Sequence, residues 1–172
     1  MKVLGLGLAA ALLLAAAPVM AADLIVDIPD EEAVALSSQW DGAYAGIGGI
    51  AYAAGSTGVG FQGILGANAT VADNFILGGE IYAGPSLDSV NGFYFVGGAE
   101  VRGGFLVTED VLVYGALGFE ADTSTDVYGT IGGGVEFAVA EDLTLDVEYK
   151  YFDGLNTATT AHQIGLSLNW HF

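Results

Sequence analysis

The tightest constraint on this chain lies in residues 143–172, where apolar and polar side chains alternate one for one. Leu143, Leu145, Val147, Tyr149 and Tyr151 fall on one side of an extended chain, and Thr144, Asp146, Glu148 and Lys150 on the other. After a polar connector the pattern resumes, with Ile164, Leu166, Leu168, Trp170 and Phe172 opposite Gln163, Gly165, Ser167, Asn169 and His171. A period of two is the repeat of a strand, because successive side chains point to opposite faces. One wholly apolar face and one wholly polar face call for a sheet with a different medium on each side.

The same texture runs back to Trp40. Three segments resemble one another: Val71-Ala72-Asp73-Asn74-Phe75, Val107-Thr108-Glu109-Asp110-Val111 and Val139-Ala140-Glu141-Asp142-Leu143. Each reads as a tight polar turn between apolar strand ends. Looser polar connectors lie at 54–58, 85–92, 122–126 and 153–160. Three turns and four loops make seven connections, which predicts eight antiparallel strands at 43–53, 59–71, 75–84, 93–107, 111–121, 127–139, 143–152 and 161–172. Each is near or above the roughly 9–11 residues a tilted strand needs to cross a bilayer. Pro18, Pro29 and Pro85 are all expected outside the strands, since proline cannot donate to a ladder.

A soluble sandwich also alternates, so three further features decide for lipid. The apolar faces carry aromatics near both strand ends: Phe75, Phe105, Phe137, Trp170 and Phe172 beside the turns, and Phe61, Phe93, Phe119 and Tyr151 beside the loops. Such girdles mark the two membrane interfaces. Nearly every strand charge falls on the opposite face, where lipid would not penalise it. The chain also stops on an aromatic strand end. The predicted fold is therefore all-β, an eight-stranded antiparallel up-and-down transmembrane barrel whose closure satisfies every backbone group.

Residues 1–22, MKVLGLGLAAALLLAAAPVMAA, read as a cleavable signal peptide, with Lys2 as the positive start, an apolar run and a small-residue exit. Residues 23–40 form an acidic segment expected in the periplasm, and 41–172 the barrel. There is no cysteine, so stability must come from packing and hydrogen bonds, and lipid attachment through an N-terminal cysteine is excluded. Removing the leader leaves Arg102 and Lys150 against 21 carboxylates. Nucleic acid is excluded as a partner, because neutralising phosphates takes clustered Lys and Arg.

From Trp40 onward the chain resembles the small opacity-type outer-membrane barrels of alphaproteobacteria, relatives of the OmpA and OmpX architecture. The likeness rests on Trp40-Asp41-Gly42-Ala43-Tyr44-Ala45-Gly46, Phe75-Ile76-Leu77-Gly78-Gly79-Glu80, Val101-Arg102-Gly103-Gly104, Gly134-Val135-Glu136-Phe137-Ala138 and Asp146-Val147-Glu148-Tyr149-Lys150-Tyr151. It implies residence among outer-membrane lipid and lipopolysaccharide. It also implies insertion by the barrel assembly machinery, with an assembly signal resembling Gly165, Leu168, Trp170 and Phe172. The short loops depart from relatives that adhere to host surfaces. An even strand count predicts both termini and the tight turns in the periplasm and the four loops outside.

The inward face is predicted to carry Glu80, Glu100, Arg102, Glu120, Glu136, Asp146, Glu148 and Lys150, six carboxylates against both remaining cations. Buried charges must be paired, so the reading is a structural charge network, with some carboxylates hydrated or protonated. Eight strands enclose a space that side chains fill. Inward Gly46, Gly48, Gly66, Gly78, Gly98, Gly132 and Gly134 are nevertheless expected to leave volume for water.

Catalysis finds little support. His162 and His171 are predicted at opposite membrane faces, and only His162, Asp153 and Ser86 near the loops suggest a nucleophile set. No metal site is expected without Cys or a His-x-x-x-His spacing, and no cofactor. Asp88, Asp122, Asp126 and Asp153 are scattered loop acids that could hold cations bridging lipopolysaccharide phosphates, or simply be solvated. The reading is a non-enzymatic structural or surface barrel. The alternatives are loop-mediated ligand or surface binding, a narrow solute pore, a lipid-modifying enzyme and a soluble lipocalin-like binder.

Overall fold

The computed structural model describes residues 39–90, 92–123 and 126–172. The expected leader and all but Gln39 and Trp40 of the acidic segment lie outside the described residues. Eight strands follow in order: β1 (Gly42–Ala53), β2 (Thr57–Ala72), β3 (Phe75–Asp88), β4 (Gly92–Thr108), β5 (Val111–Asp122), β6 (Val127–Ala140), β7 (Leu143–Gly154) and β8 (Thr160–His171). Each pairs antiparallel with its chain neighbours, and β1 pairs β8 from Tyr44↔His171 to Ala53↔His162, closing the barrel.

The three repeated segments are three copies of one device. The pairing jumps from Thr70↔Ile76 to Ala72↔Phe75, from Leu106↔Leu112 to Thr108↔Val111, and from Ala138↔Thr144 to Ala140↔Leu143. The residue skipped each time is the valine that opens the segment: Val71, Val107 or Val139. An extra residue on one strand sharpens the local twist, which suits a barrel rim. The second turn residue of each copy is bound alike, with Asn74, Asp110 and Asp142 carbonyls accepting from the Leu106, Ala138 and His171 amides, each at 2.8 Å.

At the other end the strands run past the expected loop boundaries. The connections shrink to 54–56, 89–91, 123–126 and 155–159. Left-handed glycines permit two of these tight reversals, Gly55 at φ 76° and Gly92 at φ 75°. Pro85, expected in a loop, lies inside β3 and pairs with Phe95. The β3 ladder to β2 is interrupted there, between Gly60↔Ser86 and Gly63↔Ala83, so the missing N–H falls where no strand pair needs it.

Faces follow the predicted alternation. Ile47, Leu65, Ile81, Val101, Leu117, Ile131 and Leu166 all point outward and are exposed, as are the girdle residues Phe61, Phe93, Phe105, Phe119 and Phe172. The inward set is polar through the middle, with one apolar cluster at the turn end: Trp40, Ile76, Leu106, Leu112, Tyr114 and Ala116. Trp40, fully buried, donates from Nε1 to the Glu109 carbonyl at 2.9 Å and meets the His171 ring edge-on. It closes the turn end of the lumen.

Candidate functional site

The lumen is built by a rule that spans three strands at a time. Tyr44 on β1 lies opposite Gly66, which lies opposite Glu80; Tyr82 lies opposite Gly98, and that opposite Glu120; Tyr114 lies opposite Gly134, and that opposite Glu148. Each tyrosine ring lies across its glycine. A Cβ on Gly66 would stand 2.7 Å from Tyr44 Cε1, one on Gly98 2.5 Å from Tyr82 Cζ, and one on Gly134 2.7 Å from the Tyr114 hydroxyl. Lys150 likewise covers Gly132, Asn169 covers Gly46, Asn68 covers Gly78 and Ser167 covers Gly48. The inward glycines therefore do not leave water-filled space as their small size suggests. They are seats that neighbouring side chains fill, because a ring laid flat on the wall needs a strand without Cβ beneath it.

Arg102 occupies the middle of the turn-side half, 3% exposed. Its guanidinium lies between two tyrosine faces, with Cζ 4.5 Å from the Tyr114 ring centroid and 5.4 Å from that of Tyr44. It pairs with Glu136 and, at 3.5 Å, with Glu80. Glu136 is fully buried and also accepts from Thr144 Oγ1 at 2.5 Å and Asn169 Nδ2 at 3.2 Å, with His171 Nε2 at 3.6 Å. Tyr44 donates to Glu80 at 2.9 Å, and Tyr114 to Asp146 at 2.9 Å. A buried carboxylate survives on this many donors because each replaces a lost hydration contact.

Lys150 forms the second cluster, nearer the loops and 1% exposed. Its ammonium lies 2.6 Å from Glu100 and 3.0 Å from Glu148, and 4.2 Å from the Tyr82 ring centroid. The predicted network thus divides into two cations that each bridge two carboxylates. Glu120 and Asp146 make no ion pair among the described residues. Above Lys150 the barrel opens into a cavity of about 60 Å³ bordered by Tyr52, Tyr94, Tyr128, Ser86, Glu120 and Asp122. Tyr94 donates to the Tyr52 hydroxyl across it at 2.5 Å.

Other expected site residues fall as follows. Gly165 faces inward opposite Glu148, and Leu168, Trp170 and Phe172 face outward. His162 points out of the wall beside Tyr149, whose hydroxyl lies 2.6 Å from Nδ1. Ser86 is buried inside the lumen, so the wall separates it from His162 and the suggested nucleophile set does not assemble. Of the loop acids, Asp88 is not a solvated loop residue. It ends β3 facing inward and accepts from Ser56 Oγ at 2.6 Å and the Val90 amide at 2.7 Å. Asp122 ends β5 and accepts from the Asp126 amide at 3.2 Å. Among the described residues no set of three or more acids or histidines is grouped as metal ligands would be.

The eight charges expected in the lumen lie buried on the inner face, joined by Asp88, which the sequence reading left in a loop; Tyr44, Tyr82, Tyr114 and Trp40 were not singled out, and Thr144 and Asn169 were placed on the polar face without a role. The signal for the tyrosines was present: three of the four predicted hairpins, folded about their loops, set an inward glycine opposite an inward tyrosine.

A closed eight-stranded barrel with an apolar outer surface and a charged interior is a transmembrane barrel. The chain belongs to the outer membrane protein beta-barrel domain family, which it matches over residues 8–172. Its setting is the outer membrane of the Gram-negative envelope. Its fold is similar to Ail, the attachment invasion locus protein of Yersinia pestis, with a TM-score of 0.56 at 15% identity, covering 77% of this chain and 99% of that one. Neisserial surface protein A gives 0.56 at 14% identity, covering 76% and 97%. The N-terminal barrel of Pseudomonas aeruginosa OprF gives 0.51 at 13% identity, covering 76% and 99%. No curated protein matches the chain in sequence.

Proposed function

We propose that this protein is a non-enzymatic structural barrel of the outer membrane whose lumen is sealed by its charge network. The observation that carries this reading is Arg102, held in the middle of the lumen by two tyrosine rings and two carboxylates. A solute entering from the loops would have to displace first Lys150 and then Arg102 from paired, desolvated positions. Beyond them the buried Trp40 ring lies across the turn end, edge-on to His171. Breaking either buried pair costs several kcal/mol, which opposes spontaneous opening.

In this reading residues 1–22 are a leader removed on export and 23–40 are a periplasmic segment. Both termini and the tight turns face the periplasm, and the loops face outside. Gly165, Leu168, Trp170 and Phe172 serve as the signal read by the assembly machinery. Connections as short as three to five residues favour a structural role over loop-mediated recognition. Planar-bilayer recording of the purified protein tests the seal: the expected result is a quiet baseline, and steady unitary conductance would establish a pore instead. Mobility in SDS before and after boiling, run alongside, reports that the sample is folded.

A further inference from the structure

We propose that the outer wall of β7 and β8, at its loop end, carries a binding site for the phosphate group of a membrane lipid, formed by His162, Tyr149 and Tyr151. Toward the loops, β2 to β5 present Phe61, Leu87, Phe93, Phe95 and Phe119 to the lipid, all exposed and none with a hydrogen-bond donor. On β7 and β8 three polar-tipped rings face outward together instead. Tyr151 pairs directly with His162, and Tyr149 sits one layer deeper, opposite Ile164. Simple interfacial anchoring would distribute such rings around the whole girdle. Their confinement to two adjacent strands marks a site. Among the described residues His162 is also the one outward side chain that can take up a positive charge, since Arg102, Lys150 and His171 are buried in the lumen.

The geometry orients the donors. The Tyr149 hydroxyl lies 2.6 Å from His162 Nδ1, and the Tyr151 ring lies 5.3 Å from the imidazole, centroid to centroid. A phenol is the better donor of the first pair and an imidazole nitrogen the better acceptor, so the hydroxyl donates and the ring proton resides on Nε2. Among the described residues no acceptor is paired with Nε2, which leaves an N–H on a wall that faces lipid. Depth agrees with a headgroup. His162 and Phe172 are ten residues apart on one face, which at about 3.4 Å per residue and a tilt of about 35–45° separates them by roughly 24–28 Å along the membrane normal, close to the height of the apolar band at about 25 Å. With Phe172 at the turn-end girdle, His162 lies at the opposite interface. The residues beside it are small, Ala53 on β1 next to His162 and Gly133 on β6 next to Tyr149, so a headgroup can approach from either side. The imidazole N–H and the Tyr151 hydroxyl offer two donors to one group. A phosphate answers both with several oxygens, and its negative charge is met when the imidazole takes a proton. An ester carbonyl offers one acceptor and no charge. The carboxylate on this part of the wall is Asp153, exposed two positions nearer the loops on β7, and its like charge confines a phosphate to the level of the imidazole.

The test is nitrogen–phosphorus dipolar dephasing by solid-state NMR on the histidine-labelled protein. It is refolded into bilayers of a phosphorus-free glycosyl diacylglycerol carrying phosphatidic acid at rising mole fraction. Strong dephasing of His162 Nε2 is expected, reaching a plateau while phosphatidic acid is still a minority lipid. His171, buried in the lumen, should show none. Tyr149→Phe keeps the imidazole as reporter and should raise the mole fraction at half-saturation about twofold to tenfold, the worth of one hydrogen bond. Dephasing that climbs in proportion to phosphatidic acid without a plateau describes passing contact with bulk lipid and overturns the proposal. So does an unshifted half-saturation in the variant. Equal dephasing by inorganic phosphate in bilayers free of phosphatidic acid also overturns it, because the site would then be one for a free anion. Should the variant not fold, the plateau and the inorganic-phosphate control on the unaltered protein decide alone.

Discussion

Arg102→Ala is the most informative single change. Truncation removes the guanidinium that faces Glu136 and Glu80 and the stacking against Tyr44 and Tyr114. Glu136, with no exposed surface, keeps Thr144 and Asn169 as donors but loses the guanidinium charge beside it. Stranding one member of a buried pair costs about 3–5 kcal/mol. The rings add on the order of 1 kcal/mol, while the donors left to Glu136 and entry of water return part of the loss. A net destabilisation of about 4 kcal/mol follows; with a urea slope of about 2 kcal/mol/M, the midpoint falls by roughly 2 M. Unfolding from lipid vesicles can be followed through Trp40, buried in the lumen, and Trp170, on the outer face. The double variant Arg102→Met with Glu136→Met should be more stable than Arg102→Ala, since it removes the more deeply buried of the two stranded carboxylates and leaves only Glu80, which keeps Tyr44 as a donor. An unchanged midpoint for Arg102→Ala would refute the claim that this arginine holds the interior together. A double variant no better than the single one would show that packing, not pairing, is what Arg102 provides.

Three further outcomes are expected. Gly66→Ala drives a methyl into the Tyr44 ring, which Glu80 and Arg102 hold in place, and should cost about 1–3 kcal/mol, whereas Gly115→Ala, whose Cβ would find nothing nearer than the Gly132 carbonyl at 3.8 Å, should be nearly neutral by the same urea assay. Trp40→Ala opens the turn end of the lumen and should cost about 3–5 kcal/mol, together with loss of SDS resistance at a lower temperature. Val147→Lys places a cation on the lipid side of β7 and should cost about 2–4 kcal/mol if that position lies near the midplane, measured by unfolding from bilayers; Glu148→Gln, one residue along but facing inward, should not follow the same depth dependence.

Strand number, order and facing were legible because each rests on a local signal. The Val-x-acid-x turns recur in sequence, and β7 and β8 alternate without an exception. Strand ends at the loop side were less legible. Polar residues such as Ser86 and Asp88 continue a ladder as readily as apolar ones, so polarity marks the lipid boundary and not the end of pairing. Pro85 misled for the same reason, since the rule against proline in a ladder lapses where the neighbouring strand leaves a gap. The lumen charges were legible as a list but not as contacts. Which acid meets Arg102 depends on the shear between strands far apart in sequence, and Glu136 reaches it from two strands away. The glycines were misread because a missing side chain was taken as empty space, when a tyrosine, lysine, asparagine or serine on the adjacent strand occupies it.

The distribution of those charges bears on why the interior is charged at all. A buried ion pair is a poor source of stability compared with apolar packing, but it is a strong penalty against misalignment. Sliding a strand by one residue exchanges its faces. For β7 that would put Asp146, Glu148 and Lys150 into lipid, with Lys150 alone costing about 2–4 kcal/mol near the midplane. The eight lumen charges all lie on the consecutive strands β3 to β7. The seam between β1 and β8 carries none of them. It pairs Tyr44 with His171, Gly46 with Asn169, Gly48 with Ser167 and Tyr52 with Gln163. Strands β3 to β7 thus have their register fixed by charge. The pair that closes the ring meets through residues outside that set of eight, so closure requires none of those charges to be dragged through hydrocarbon.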